Sequence, residues 1–202
     1  MPIRAVIFDL GGVLVRTEDR TSRTRLAERA GLTYMELSEL VFDSQSARRA
    51  MRGEITTEEH WEEVYKKLGL SKEEYPQVPL EFWAGDRLDE NLVNYLRGLR
   101  PQYKTALLSN AWDDLRQMIE EIWKCADAFD QMVISAETGL VKPEPPIYEK
   151  VVSDLMVKPK EAVFVDDFPE NVAGAKAVGL EAIQFFSPEQ ILQDLEKLLD
   201  GK

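Results

Sequence analysis

The chain has 202 residues, the size of one domain or of one domain that carries an insertion. Its 25 Lys and Arg against 37 Asp and Glu give a formal net charge of −12, so nucleic acid and anionic membrane surfaces are poor partners for it. The single cysteine and single histidine exclude an internal disulfide and any metal centre built from several such residues. The apolar stretches are too short for a transmembrane helix or a secretory signal, so a soluble, cytoplasmic protein is expected.

Short apolar runs rich in β-branched residues recur along the chain and predict the strands of a sheet. Uninterrupted runs of this kind are typical of parallel strands that are buried on both faces. The predicted strands are Ile3–Phe8, Thr105–Leu108, Met132–Ile134, Ala162–Val165 and Ala182–Phe185. The helical patterns that accompany them are Leu92–Leu99, Asp113–Lys124, Pro146–Leu155, Pro169–Val178 and Pro188–Leu199. This alternation predicts an α/β fold with a doubly wound parallel sheet.

The segment between the first two predicted strands shows helical periodicity and no convincing strand. Its helical patterns are Arg23–Ala30, Tyr34–Phe42, Ser46–Met51 and Thr57–Leu68. Because the segment is too long for a single crossover connection, we interpret it as an inserted all-helical subdomain. The predicted core is residues 1–15 and 87–202, the predicted insertion is residues 16–86, and the hinges are expected near Val15–Glu18 and Ala84–Leu88.

Polar side chains follow the predicted strands at the edge where open α/β sheets bind their ligands. These residues are Asp9, Ser109, Asn110, Lys142, Asp166 and Asp167. Clustered carboxylates repel one another unless a hard cation lies among them, and Mg²⁺ prefers oxygen ligands, water and a substrate phosphate. The pattern therefore predicts a magnesium-dependent site in which Lys142, Ser109 and backbone N–H groups hold a phosphate.

The order and spacing of four motifs resemble those of the haloacid dehalogenase (HAD) superfamily. The motifs are Phe8-Asp9-Leu10-Gly11-Gly12-Val13-Leu14, Leu108-Ser109-Asn110, Lys142-Pro143 with Ile147-Tyr148, and Phe164-Val165-Asp166-Asp167 through Asn171. The insertion resembles the type-one helical cap of that superfamily. Its segment Gly53-Glu54-Ile55-Thr56 resembles a cap turn of the branch that includes sugar-phosphate phosphatases and the phosphatase domain of soluble epoxide hydrolase. The resemblance implies a Rossmann-like core and a hydrolase.

The resemblance also implies roles for the motif residues. Asp9 is the expected nucleophile, which attacks phosphorus and forms an aspartyl-phosphate. Lys142 and Ser109 complete the expected catalytic set and, with the N–H group of Asn110, are expected to bind the phosphoryl group. The expected Mg²⁺ ligands are Asp9, the Gly11 carbonyl and Asp167, with Asp166 acting through a metal-bound water. The expected substrate is a small phosphorylated metabolite such as a sugar phosphate.

One position departs from the family pattern. Most phosphatases of the family have a second aspartate two residues after the nucleophile, which serves as general acid and then as general base; here that residue is Gly11. General acid–base catalysis is typically worth about 10²–10⁴-fold. Three interpretations remain open: slow turnover, replacement by a residue such as Glu18, Asp19 or His60, or a pseudo-enzyme that only binds a ligand. A dehalogenase is a further alternative, which the adjacent acids of the fourth motif disfavour.

Four further residues are open to a structural interpretation. His60 is expected to be a packed surface histidine rather than an acid catalyst, and Asn171 a structural bridge rather than a catalyst. Trp83 and Trp112 fit a pocket rim and a role in packing equally well.

Overall fold

The computed structural model describes residues 2–199. Its strands are β1 (Ala5–Phe8), β2 (Val15–Thr17), β3 (Asp86–Leu88), β4 (Lys104–Ser109), β5 (Gln131–Ile134), β6 (Ala162–Asp166) and β7 (Glu181–Gln184). Five of these strands form a sheet in the order β5–β4–β1–β6–β7, in which every neighbouring pair is parallel. The chain builds outward from β1 in one direction and then in the other, which confirms the predicted doubly wound α/β fold.

Along the sequence, helices lie between the strands of this sheet and after the last strand. The helices before β4 are α1 (Thr21–Arg29), α2 (Tyr34–Phe42), α3 (Gln45–Met51), α4 (Thr57–Leu68), α5 (Val78–Trp83) and α6 (Glu90–Leu99). Those after it are α7 (Leu115–Gln117), α8 (Ser135–Thr138), α9 (Pro145–Asp154), α10 (Pro169–Ala177) and α11 (Pro188–Leu199). The predicted helix Asp113–Lys124 is only partly α-helical, because a π-helical turn at Met118–Ile122 follows α7.

Helices cover both faces of the sheet. Phe8 belongs to the apolar cluster that includes residues of α6 and α11, whereas Ile7 belongs to the cluster that includes residues of α9 and α10. Adjacent residues of β1 therefore enter opposite layers, and both side chains are completely buried. Burial on both faces explains why the strands appear in the sequence as continuous apolar runs.

Helices α1–α5 share a separate apolar cluster, which contains residues such as Leu26, Leu37 and Trp61 and also Trp112, which follows β4. At the two predicted hinges the structure has a two-stranded antiparallel ribbon, in which β2 pairs with β3 and Val15 lies opposite Leu88. The expectation of no strand in this region is thus wrong at its two ends, where the three-residue strands are too short and too polar to recognise. Within residues 2–199, no helix combines the length and the apolar character that crossing a bilayer requires.

Candidate active site

The predicted acidic residues lie together at the carboxyl edge of the sheet, where β1 and β6 meet. Phe8 pairs with Val165, and the N–H group of Asp9 donates to the Val165 carbonyl at 2.9 Å. The next residues of the two strands, Asp9 and Asp166, are therefore adjacent. Carboxylate oxygens of Asp9, Asp166 and Asp167 all lie within 4.8 Å of one another. The connections run in opposite directions from these two strands, which is the position where open α/β sheets bind ligands.

Lys142 joins two of the three carboxylates. Its Nζ atom lies 2.8 Å from Oδ1 of Asp9 and 2.6 Å from Oδ2 of Asp166, and its side chain is 1% exposed. One ammonium group among three carboxylates, if all are ionised, leaves an excess of two negative charges in a poorly solvated position. A divalent cation would offset that excess, and carboxylate oxygens are ligands that Mg²⁺ prefers.

Asp166 has both carboxylate oxygens engaged within the protein. In addition to Lys142 it accepts hydrogen bonds from Nδ2 of Asn171, at 3.0 and 3.1 Å, and from the N–H group of Phe168 at 2.8 Å. Its side chain is completely buried. Asn171 thus lies where a structural bridge was predicted, and Asp166 is placed to fix the position of the lysine.

Asp167 has a different environment, because its buried Oδ1 atom accepts no hydrogen bond from residues 2–199. Its Oδ2 atom lies over Gly12, where an added Cβ would come within 2.2 Å of that oxygen. Gly12 also has a φ of +78°, which glycine adopts without steric cost. A glycine at this position therefore permits the turn and leaves room for the Asp167 carboxylate. In the sequence, Gly12 stands out only as a member of the first motif. A buried carboxylate oxygen without a donor, beside two further acids, fits a metal ligand.

Burial shifts the proton affinities in this cluster. It raises the pKa of Asp9 to about 7, although the charge of Lys142 opposes the shift. It also raises the pKa of Asp167 to about 6. Repulsion from Asp166 contributes to the rise of the pKa of both groups. For Lys142, burial disfavours the ammonium, but attraction from Asp9 and Asp166 outweighs it and raises the pKa. A bound cation would favour the ionised carboxylates.

Two hydrogen bonds connect the loops that are predicted to bind phosphate, one with Asn110 and the other with Lys142. Nδ2 of Asn110 donates to the Lys142 carbonyl at 2.9 Å, and the N–H group of Lys142 donates to Oδ1 of Asn110 at 2.8 Å. The side chain of Asn110 therefore fixes the backbone that carries the lysine. Ser109, the last residue of β4, is 3% exposed.

The space beside Gly11 is open. Among residues 2–199, a Cβ atom built on this residue meets nothing within 4 Å apart from its chain neighbours. Of the side chains considered as replacements for an acid here, Glu18 and Asp19 are exposed, and Asp19 accepts a hydrogen bond from the N–H group of Thr21 at 2.8 Å. His60 is completely buried, so its expected position at the surface is wrong.

Comparisons with known proteins agree with this geometry. A family model for haloacid dehalogenase-like hydrolases matches residues 3–179. D-ribitol-5-phosphate phosphatase from Bacteroides thetaiotaomicron is 27% identical over 208 residues, which cover 98% of this chain and 100% of that protein. Bifunctional epoxide hydrolase 2 from Mus musculus is 26% identical over 219 residues, which cover 98% of this chain. The chain spans only 39% of the length of that second relative.

A solved structure extends the similarity to a liganded enzyme. It is a HAD family enzyme from Bacteroides thetaiotaomicron in complex with magnesium and inorganic phosphate, and it matches with a TM-score of 0.76 and 25% sequence identity. The match covers 92% of this chain and 96% of that one. With the family model extending over most of the sequence and the four motifs meeting at one edge of the sheet, this chain belongs to the haloacid dehalogenase-like hydrolases.

Proposed function

We propose that this protein is a Mg²⁺-dependent phosphatase that hydrolyses a small phosphorylated metabolite through an aspartyl-phosphate on Asp9. The observation that carries the proposal is the meeting of three groups at one point: the Asp9 carboxylate, the Lys142 ammonium 2.8 Å away, and the unpaired buried oxygen of Asp167. The similarity to a phosphatase of D-ribitol 5-phosphate and to an enzyme that binds magnesium and phosphate supports both the reaction and a sugar or polyol phosphate as the substrate class.

The residues that would hold the metal are Asp9, Asp167 and the backbone carbonyl of Gly11. Asp166 lies close to the other two acids, and we assign it to positioning Lys142 and to contact with the ion through water. When bound, Mg²⁺ would supply positive charge that offsets the repulsion between a carboxylate nucleophile and a phosphate dianion. In this proposal residues 16–86 form the cap and the remaining residues form the core that carries these ligands.

The side chains then have distinct roles in two displacements. An oxygen of Asp9 attacks phosphorus, the new O–P bond replaces the ester O–P bond, and the alcohol departs. Water attacks the same phosphorus in the second step, which releases inorganic phosphate and restores Asp9. Lys142, the Ser109 hydroxyl and the N–H group of Asn110 bind the phosphoryl oxygens, where negative charge must be stabilised in both transition states.

Proton transfer to the leaving group is the step for which this proposed site supplies no side chain at the Gly11 position. Gly11 cannot donate a proton, and no side chain among residues 2–199 comes within 4 Å of a Cβ atom built on it. The departing oxygen therefore takes its proton from water. We expect slow turnover of alkyl phosphates, whose leaving alkoxides need that proton, and faster turnover of aryl phosphates.

The test is a phosphatase assay with p-nitrophenyl phosphate and D-ribitol 5-phosphate, in Mg²⁺ and in EDTA. We expect activity that requires Mg²⁺ and that Asp9→Asn abolishes, because an amide of the same size is not a nucleophile. Equal activity of wild type and Asp9→Asn would refute the covalent mechanism. Halide release from a 2-haloacid, retained in EDTA, would instead identify the dehalogenase alternative.

A further inference from the structure

One serine hydroxyl holds the backbone of the loop that follows β4. Oγ of Ser135 accepts a hydrogen bond from the N–H group of Ala111 at 2.9 Å and donates one to the carbonyl oxygen of the same residue at 3.0 Å. The N–H group of Ala136 also donates to that carbonyl, at 3.3 Å. Ser135 is completely buried. These hydrogen bonds attach Ala111 to the first turn of α8.

The serine lies at the point where β4 and β5 end. The last residues in register between the two strands are Ser109 and Ile134, and Ser135 is the next residue along its strand. Beyond this register the connection passes to a side chain, because the Ser135 hydroxyl reaches both polar backbone groups of Ala111. The loop after β4 can therefore leave the sheet, as a ligand-binding crevice at the carboxyl edge requires, and still stay attached beside β5.

The residue before Ala111 is held by a different part of the chain. The side chain of Asn110 makes two hydrogen bonds with the backbone of Lys142, at 2.9 and 2.8 Å. Consecutive residues of one loop are thus attached to two neighbours, Asn110 to the segment that carries the lysine and Ala111 to α8. Attachment at both residues restricts rotation of the peptide groups between and beside them.

This restriction bears on catalysis, because the same loop carries groups that the proposed function assigns to phosphate binding. They are the hydroxyl of Ser109 and the N–H group of Asn110. The N–H group of Ala111, which donates to Ser135, belongs to the peptide group next to that of Asn110. Hydrogen-bond donors stabilise a transition state most when they are fixed before the reaction, and a misplacement of about 1 Å can cost about 10²-fold in rate.

We propose that Ser135 is a positioning residue of the active site, which acts through the backbone of Ala111 to keep the phosphate-binding donors of the loop after β4 in their reactive orientation. The inference rests on the proposed phosphatase function. A hydroxyl suits this role because it donates and accepts at the same time, whereas an alanine would deprive the Ala111 N–H group of its acceptor. Ser135 exchanges no proton with the substrate, and its two hydrogen bonds persist throughout the reaction.

Two substitutions that each remove one buried hydroxyl form a matched pair. Ser135→Ala removes the hydroxyl that holds Ala111. Thr105→Val is the control, because the Thr105 hydroxyl also donates to a backbone carbonyl, that of Ala128 at 2.7 Å, and Thr105 is also completely buried. It lies near the opposite end of β4 from Ser109. Both variants should melt at a lower temperature than wild type, but only Ser135→Ala should alter the active site. Ser135→Thr keeps the hydroxyl and tests for rescue.

The first measurement is amide hydrogen exchange, followed by NMR without substrate. We expect the exchange rate of the Ala111 N–H group to rise about tenfold in Ser135→Ala, because its hydrogen bond is lost. In Thr105→Val the rate at Ala111 should stay close to that of wild type. This measurement detects the hold on the loop and does not depend on enzymatic activity.

The second measurement is the kinetics of p-nitrophenyl phosphate hydrolysis in Mg²⁺, with inhibition by orthovanadate, which can adopt the five-coordinate geometry of the transition state. For Ser135→Ala we expect kcat to fall about ten- to a hundredfold and KM to change by less than about threefold, because the donors act mainly in the transition state. The inhibition constant of orthovanadate should rise by a similar factor. Ser135→Thr should recover most of kcat, and Thr105→Val should keep it within about twofold of wild type.

An unchanged kcat in folded Ser135→Ala, or a loss no larger than that of Thr105→Val, would overturn the positioning role while the phosphatase function stands. An unchanged exchange rate at Ala111 would overturn it too, because the hydroxyl would then not hold the loop. A wild-type protein that neither hydrolyses p-nitrophenyl phosphate nor binds orthovanadate in Mg²⁺ would refute the proposed function, and this inference with it. If the added methyl group of Ser135→Thr prevents folding, the comparison of Ser135→Ala with Thr105→Val decides.

Discussion

Nζ of Lys142 lies 2.8 Å from Oδ1 of Asp9, and both side chains are almost completely buried. The lysine is thus the one cation among the described residues that ion-pairs with the proposed nucleophile. Its position depends on Asp166, 2.6 Å away, and on Asn110, which holds its backbone. Groups from the ends of β4 and β6 and from the loop after β5 therefore determine the surroundings of the nucleophile. We expect a substitution of any of them to affect Asp9.

Replacing the lysine tests this arrangement. We expect Lys142→Met to lower kcat/KM for p-nitrophenyl phosphate by about 10²-fold or more, because the phosphoryl oxygens lose their principal cationic partner. Lys150→Met is the control, since Lys150 is 39% exposed and pairs with Asp154 on the outer surface of α9; its activity should stay within about twofold of wild type. Near-normal activity of folded Lys142→Met would argue against the assignment.

Alanine substitutions of the adjacent residues Gly11 and Gly12 are expected to affect the metal site differently. A methyl group at Gly12 would collide with the Asp167 carboxylate and occupy a positive φ, so Gly12→Ala should lose about 1–2 kcal/mol of unfolding free energy. It should also show a smaller rise in melting temperature on addition of Mg²⁺. Gly11→Ala meets open space and should keep the Mg²⁺ response. Thermal melts of both variants with Mg²⁺ and with EDTA provide the comparison, and equal responses would show that Asp167 does not bind the metal.

The open space beside Gly11 also predicts a gain of activity. The Cβ atom of an aspartate there would meet no atom of residues 2–199 within 4 Å apart from its chain neighbours, and the carboxyl group would supply the proton that the leaving alcohol needs. Gly11→Asp should raise kcat for an alkyl phosphate by up to about 10²–10⁴-fold, with a smaller effect on p-nitrophenyl phosphate, whose leaving group needs no proton. Gly11→Asn has the same size and cannot transfer the proton, so it should show no gain. If both variants behaved alike, proton transfer would not limit turnover.

The raised pKa values predict how stability depends on pH without metal. Asp9 and Asp167 retain protons in the folded state up to about pH 7 and 6, against an ordinary pKa of 3.8, so the folded protein binds more protons than the unfolded chain between these limits. The contribution of the two groups to stability is present at low pH and is lost as pH rises through this window. Urea unfolding of wild type and Asp167→Asn in EDTA at several pH values tests this expectation. The unfolding free energy of the variant should fall less steeply with rising pH than that of wild type.

Magnesium should oppose that trend. Because the cation binds ionised carboxylates, the rise in melting temperature on addition of Mg²⁺ should grow between about pH 5 and 7.5. A Mg²⁺ response that is independent of pH over this range would contradict the assignment of the two raised carboxyl groups to the metal site.

Much of the core could be predicted from sequence alone. The five apolar runs are strands of the sheet, and an acid that directly follows a buried strand, such as Asp9 after Phe8, necessarily lies at the carboxyl edge. Parallel strands that begin at one edge also end together, so Asp166 and Asp167 had to lie near Asp9 once their strand was β1's neighbour. The ribbon of β2 and β3 was missed because its pairing joins segments about seventy residues apart and leaves little local pattern.

Residue order and spacing by themselves determined the class of fold, the set of acids at one edge of the sheet and the absence of a proton donor at Gly11, because each depends on local pattern and chain topology. Only the tertiary structure decided which acid is free: Asp166 is occupied by Lys142 and Asn171, whereas Asp167 retains an unpaired oxygen. It also decided that His60 is buried against Trp112. Such outcomes depend on side-chain distances of a few ångströms between segments far apart in the chain, and no local pattern encodes them.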